Sequence, residues 1–64
     1  MQLVKFYEVE FTNALGQSTY EKVVGTDEQV NDWAIKEASA NGFAYNVTYL
    51  CTDTLDGIKN LANN

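Results

Sequence analysis

The chain contains no histidine, no proline and no arginine, and it has one cysteine, Cys51, among 64 residues. A single cysteine excludes an internal disulfide, and without histidine the usual ligand sets for transition metals are missing. We therefore expect no metal and no other cofactor. A chain of about 60 residues buries only about 60% of the surface that it exposes when unfolded, so its core is small. The length predicts one domain over residues 1–64.

Positive charge is also scarce, because nine acidic residues oppose four lysines and leave a formal net charge of −5. Proteins that bind nucleic acids usually have the opposite balance, with arginines that contact phosphates and base edges. We therefore expect no direct binding to nucleic acid and no attraction to anionic membranes. An acidic surface favours solubility or a basic protein partner.

Long hydrophobic runs are missing as well. No apolar stretch approaches the roughly 20 residues that span a bilayer, and the opening MQLVKFYEVEF lacks the pattern of a secretory signal peptide. We expect a cytoplasmic protein. The sequence has no glycine-rich phosphate loop and no nucleophile beside a base. The acidic pair Glu8 and Glu10 lacks the sheltered cleft that tuned catalytic carboxylates need, so we expect no enzyme activity.

Two segments rich in valine, tyrosine, phenylalanine and threonine predict β-strands at residues 2–12 and 18–25. The intervening NALGQ predicts a hairpin with a three-residue loop, because asparagine favours the start of a type I turn and glycine favours a G1 bulge. This loop places Glu8 opposite Lys22. A loop one residue longer would oppose Glu8 to Glu21, and like charges directly opposite are unfavourable.

The segment GTDEQVNDWAIKEASANGF predicts an amphipathic helix. Thr26 is a suitable N-cap, and Gln29 completes a capping box three residues later. Gly42 is placed to end the helix in the left-handed conformation. Apolar residues recur with helical spacing at Val30, Trp33, Ala34 and Ala38.

FAYNVTYLCT, residues 43–52, predicts a third strand with clean alternation. Its predicted inner face carries Phe43, Tyr45, Val47, Tyr49 and Cys51. The following DTLDGIKNLANN fits a short helix, although Gly57 costs a helix about 1 kcal/mol relative to alanine. Asp56–Gly57 fits a hairpin turn as the alternative.

The predicted fold is α+β, in the order β-β-α-β with a short C-terminal helical turn. The sheet is three-stranded and antiparallel, with strand order 2-1-3 and one helix packed on one face. The predicted core joins the inner side chains of the sheet to the apolar stripe of the helix. Its sheet residues are Tyr7, Val9, Phe11, Val23, Tyr45, Val47 and Tyr49.

The second sheet face is unusual, because a solvated face should be mostly polar. It holds the apolar candidates Val4, Phe6, Tyr20, Val24 and Leu50. Three interpretations remain open. The C-terminal tail folds over this face, a second copy or another protein covers it, or the register is wrong by one residue and the faces are exchanged.

In size, acidity and lack of motifs the chain resembles the small accessory and inhibitor proteins encoded by bacteriophages. The resemblance implies a non-catalytic protein that blocks a host defence or nucleic-acid-handling protein by placing acidic side chains on a basic surface. The candidate contacts are Glu8, Glu10, Glu21, Asp27, Glu28 and Asp32. Strand edges would add backbone pairing with the partner. The alternative is a self-assembling structural module that forms a homodimer through the second sheet face or an edge strand.

Overall fold

The structure, a computed structural model, describes residues 3–62. Its elements are β1 (Leu3–Thr12), β2 (Ser18–Gly25), α1 (Asp27–Asn41), β3 (Ala44–Thr54) and α2 (Leu55–Ala62). The strands form one antiparallel sheet in the order β2-β1-β3, so β1 is central. The predicted α+β class and strand order are confirmed, and the tail forms the predicted short helix rather than a hairpin.

The hairpin between β1 and β2 has the predicted loop. The Gly16 N–H donates to the Asn13 carbonyl at 3.0 Å, and the Asn13 N–H donates to the Gln17 carbonyl at 2.9 Å. Gly16 has a φ of 81°, in the left-handed region that favours glycine. Glu8 consequently pairs with Lys22, which confirms the predicted register.

Local signals also set both ends of α1. The Thr26 side chain accepts a hydrogen bond from the Gln29 N–H, and the Gln29 side chain accepts one from the Thr26 N–H, each at 3.1 Å. Gly42 has a φ of 69°, and its N–H donates to the Ala38 carbonyl. The predicted capping box and left-handed glycine are both confirmed.

The main core lies between α1 and the central strand. Its buried members are Tyr7, Val9, Phe11, Val30, Ala34 and Ala38, with Val23, Trp33 and Val47 partly buried against them. Tyr45 and Tyr49 are exposed, which corrects their predicted place in the core. A helix is about 10–12 Å wide and strands are about 4.8 Å apart, so one helix over β1 leaves the outer strands partly uncovered.

A β-bulge interrupts the pairing of β3 with β1. Tyr49 pairs with Tyr7, whereas Cys51 pairs with Phe6, so Leu50 is an extra residue in β3. The extra residue reverses the alternation beyond it, because paired residues share a face. Cys51 therefore lies on the second face with Phe6, which corrects the prediction that it shares a face with Tyr49.

The second sheet face is covered at one end by α2. Phe6 and Ile58 are both buried, yet neither belongs to the main core. Helix α2 packs against β1 and β3, and its Gly57 lies against Asp53, which pairs with Val4 on the second face. The tail thus covers part of this face, as one of the three interpretations proposed. Phe6 is therefore buried and does not belong to an exposed apolar patch, which corrects its predicted role as an interface residue.

Candidate protein-binding surface

The six acidic residues proposed as contacts lie on opposite sides of the molecule. Glu8 and Glu10 are on the second face, because they alternate with the core residues Tyr7 and Val9 along β1. Glu21 pairs with Val9 and therefore lies on the face that carries α1. Helix α1 itself carries Asp27, Glu28 and Asp32. One flat partner surface cannot contact both sets.

The second face has an uncovered part beyond α2, which we call the open face. It consists of Glu8, Glu10, Tyr20, Lys22, Asn46 and Thr48. The two glutamates lie on the central strand and are half-buried, while their four neighbours on β2 and β3 are exposed. Glu8 lies between Lys22 and Thr48, and Glu10 lies between Tyr20 and Asn46. This open face is flat, mixed in polarity and acidic at its Glu10 end.

A hydrogen bond organises that acidic end. The Tyr20 hydroxyl donates to Oε2 of Glu10 at 3.0 Å. The hydrogen bond and the negative charge of Glu10 raise the pKa of Tyr20 above its ordinary value of 10.0, with a smaller contribution from Glu8. Tyr20 therefore remains a protonated donor at neutral pH. The pair offers an incoming lysine or arginine a carboxylate beside an aromatic ring, and cations interact favourably with both.

The remaining apolar candidates do not form one continuous patch. Val24 pairs with the buried Phe6 at the outer strand β2, and Leu50 is the extra residue of the bulge in β3. Val4 is half-buried near α2, where it pairs with Asp53. Beside the acidic end lies Tyr20, with 61% of its surface exposed. The exposed apolar surface is thus spread over both edges of the sheet.

A large concavity, of about 570 Å³, opens beside the start of α1. Its lining includes Lys5 and Asp27, whose side chains pair with each other at 3.3 Å. Among the described residues, no group of three histidine, cysteine, aspartate or glutamate side chains is arranged to hold a metal. Over the same part of the chain, no helix is both long and apolar enough to cross a membrane.

The exposed tyrosines at the outer edge of β3 are a feature that the sequence prediction missed. The alternation of residues 43–52 predicts Tyr45 and Tyr49 in the core, yet they are exposed at this edge. The available signal is the absence of charged residues from 43 to 52, which is unusual for an exposed edge strand.

Comparisons with protein-family models, with curated proteins and with solved structures find no match to this chain. A function is therefore inferred from the chemistry of its exposed side chains.

Proposed function

We propose that this chain is a non-catalytic protein-binding module whose open face binds a basic surface of a partner protein. One observation carries the proposal: Glu8 and Glu10 stand on a sheet face that no described element covers at that point, and Tyr20 is hydrogen-bonded beside them. The resemblance to small phage-encoded inhibitors points to a host defence or nucleic-acid-handling protein as the partner. Proteins that handle nucleic acids have basic surfaces of the kind that carboxylates bind.

The charge pattern predicts where the basic groups of the partner sit. Lys22 lies opposite Glu8 in the pairing of β1 with β2, whereas Glu10 lies between the neutral residues Tyr20 and Asn46. A lysine or arginine of the partner should therefore lie over Glu10 and the Tyr20 ring. Charge complementarity of this kind increases association rates and makes binding sensitive to salt.

Retention of proteins from a bacterial lysate, followed by mass spectrometry, tests the proposal. A retained protein is then purified and its affinity for the chain is measured directly at two salt concentrations. The double variant Glu8→Gln/Glu10→Gln should weaken binding by about tenfold or more, since it removes two acids from the contact. The matched control, Glu28→Gln/Asp32→Asn, removes the same charge from the opposite side and should leave the affinity nearly unchanged.

Three results would contradict the proposal. Equal weakening by both double variants would show that only the overall charge matters. Specific retention that is indifferent to salt and to Glu8 and Glu10, or no specific retention at all, would exclude binding through the open face. Circular dichroism of each variant establishes that the fold is retained.

A further inference from the structure

We propose that the outer edge of β3 binds a second copy of this chain, with the two β3 strands antiparallel and Val47 on the twofold axis. Because β1 is central, β2 and β3 each have one edge that pairs with no described strand. The unpaired N–H and C=O groups of an edge are a template for another strand.

Charge distinguishes the two edges and favours a second copy at β3. Strand β2 carries Glu21 and Lys22 in its middle, and charged side chains of this kind protect an edge from pairing. Residues 43–52 carry no charge, although the chain as a whole has a net charge of −5. Two acidic copies repel each other in most relative orientations. When two β3 edges pair, however, residues 43–52 of the two copies place no like charges opposite each other. The same stretch has no carboxylate that could bind a basic partner.

The backbone geometry shows which groups of β3 are free. Alternate residues of an antiparallel strand turn their N–H and C=O groups to opposite sides. The Asn13 N–H donates to the Gln17 carbonyl, so Asn13 turns its backbone N–H and C=O groups toward β2. The odd-numbered residues of β1 do the same, and the even-numbered residues of β1 turn these groups toward β3. By the β1–β3 register, the even-numbered residues before the bulge in β3 bond to β1. Tyr45, Val47 and Tyr49 therefore turn their backbone groups outward.

The side chains of this edge are self-complementary about Val47. With Val47 on the axis, Tyr45 of each copy lies opposite Tyr49 of the other, and Asn46 lies opposite Thr48. The two tyrosines are 41% and 55% exposed, so both rings have surface left to bury. Cross-strand aromatic pairs are among the stabilising contacts of sheets. The bulge at Leu50 ends the regular edge just beyond these residues.

The resulting dimer has a continuous six-stranded sheet. Its twofold axis is perpendicular to the sheet, because paired residues share a face in an antiparallel pair. Both copies of α1 then lie on one side, and both open faces lie on the other. This assembly does not depend on the proposed partner-binding function, since it forms from the purified chain alone.

Sedimentation equilibrium over a wide concentration range tests the proposal. The molar mass should rise with concentration from 7.2 kDa toward twice that value. The variant Asn46→Lys/Thr48→Lys opposes lysines across the axis and should raise the dissociation constant by about tenfold or more. Within each copy these lysines would face Glu10 and Glu8, so the monomer fold is retained. The control Ser39→Lys/Ala40→Lys makes the same charge change on exposed positions of α1 and should leave association unchanged.

Two charge combinations test the pairing of the β3 edges, and the first of them also tests the register. In the variant Asn46→Lys/Thr48→Glu, the lysine of each copy lies opposite the glutamate of the other only if Val47 is on the axis. This variant should therefore dimerise. An equimolar mixture of Asn46→Lys/Thr48→Lys with Asn46→Glu/Thr48→Glu should form a mixed dimer. A wild-type chain that stays monomeric at millimolar concentration would overturn the proposal, as would a dimer that the double lysine variant leaves intact. A monomeric Asn46→Lys/Thr48→Glu chain that folds normally would overturn the register.

Discussion

The Tyr7 hydroxyl donates a hydrogen bond to Oδ1 of Asp27, which connects the central strand to the first residue of α1. The Tyr7 ring is buried in the main core. Lys5 Nζ lies 3.3 Å from the other oxygen of the same carboxylate. Asp27 therefore uses both oxygens within the chain, where the sequence suggested a partner contact. Asp27 is therefore less available to a partner than a carboxylate on the open face.

Tyr7→Phe should lower the free energy of unfolding by about 1 kcal/mol, because it removes a hydrogen bond to a charged group that is partly exposed. Asp27→Asn serves as the second single variant, and the double variant closes the cycle. Urea denaturation should show a coupling between Tyr7 and Asp27 of similar size. Additive effects of the two changes would show that the hydrogen bond contributes nothing to stability.

Gly57→Ala should destabilise the protein by about 1 kcal/mol, although alanine is the better helix former by about the same amount. A Cβ at Gly57 would stand 2.5 Å from Oδ2 of Asp53, which is too close without movement. Asp53 is also held by the Thr54 N–H, which donates to its Oδ1 at 2.7 Å. Urea denaturation should show that Asp53→Ala/Gly57→Ala is more stable than Asp53→Ala alone. If Gly57→Ala exceeds the wild type in stability, the contact is not restrictive.

Ile58→Ala should cost about 2 kcal/mol or more, since it removes a buried side chain that packs α2 over the second sheet face. Leu55→Ala is the matched control, because Leu55 is 45% exposed in the same helix and should cost much less. Thermal unfolding measures both. Equal effects would contradict the packing of α2, and a negligible effect of Ile58→Ala would show that the helix contributes little. A charged residue in place of Phe6 should unfold the protein rather than dissociate a dimer, because Phe6 is buried at the end of the second sheet face that α2 covers.

Glu10→Gln should shift the upper part of the tyrosine absorbance titration to lower pH, because the Glu10 hydrogen bond and charge raise the pKa of Tyr20. The raised pKa stabilises the folded chain while Tyr20 is protonated. This contribution is complete below the ordinary pKa of 10.0 and is lost as the pH rises through the pKa of the folded state. Tyr20→Phe should remove the same high-pH component. An unchanged curve for Glu10→Gln would show that the pair does not form in solution.

Signals within a few residues determined the hairpin and the helix ends. Asn13 and Gly16 specify the turn, and the avoidance of like charges opposite Glu8 favours the same register. Thr26 with Gln29 caps α1. These features were predictable because each depends on neighbours in the chain or directly across one hairpin.

The faces of β3 were less predictable. Alternation along residues 43–52 continues without a break, and yet Leu50 is an extra residue in the pairing with β1. A bulge is defined by two strands together, so one strand's pattern does not reveal it. The exposure of Tyr45 and Tyr49 likewise depends on the width and position of α1 rather than on their own polarity.

By itself the sequence determined the α+β class, the strand order, the hairpin register and the caps of α1, because short-range hydrogen bonding and apolar periodicity specify them. Only the tertiary structure decided which surfaces remain free. Packing of α2 buried Phe6 and left Glu8 and Glu10 on the open face, and the position of α1 over β1 left the tyrosines at the β3 edge exposed. The physical reason is that exposure depends on which distant segments pack together. An alternating pattern shows which residues share a face of the sheet, but it does not show which segment packs on that face.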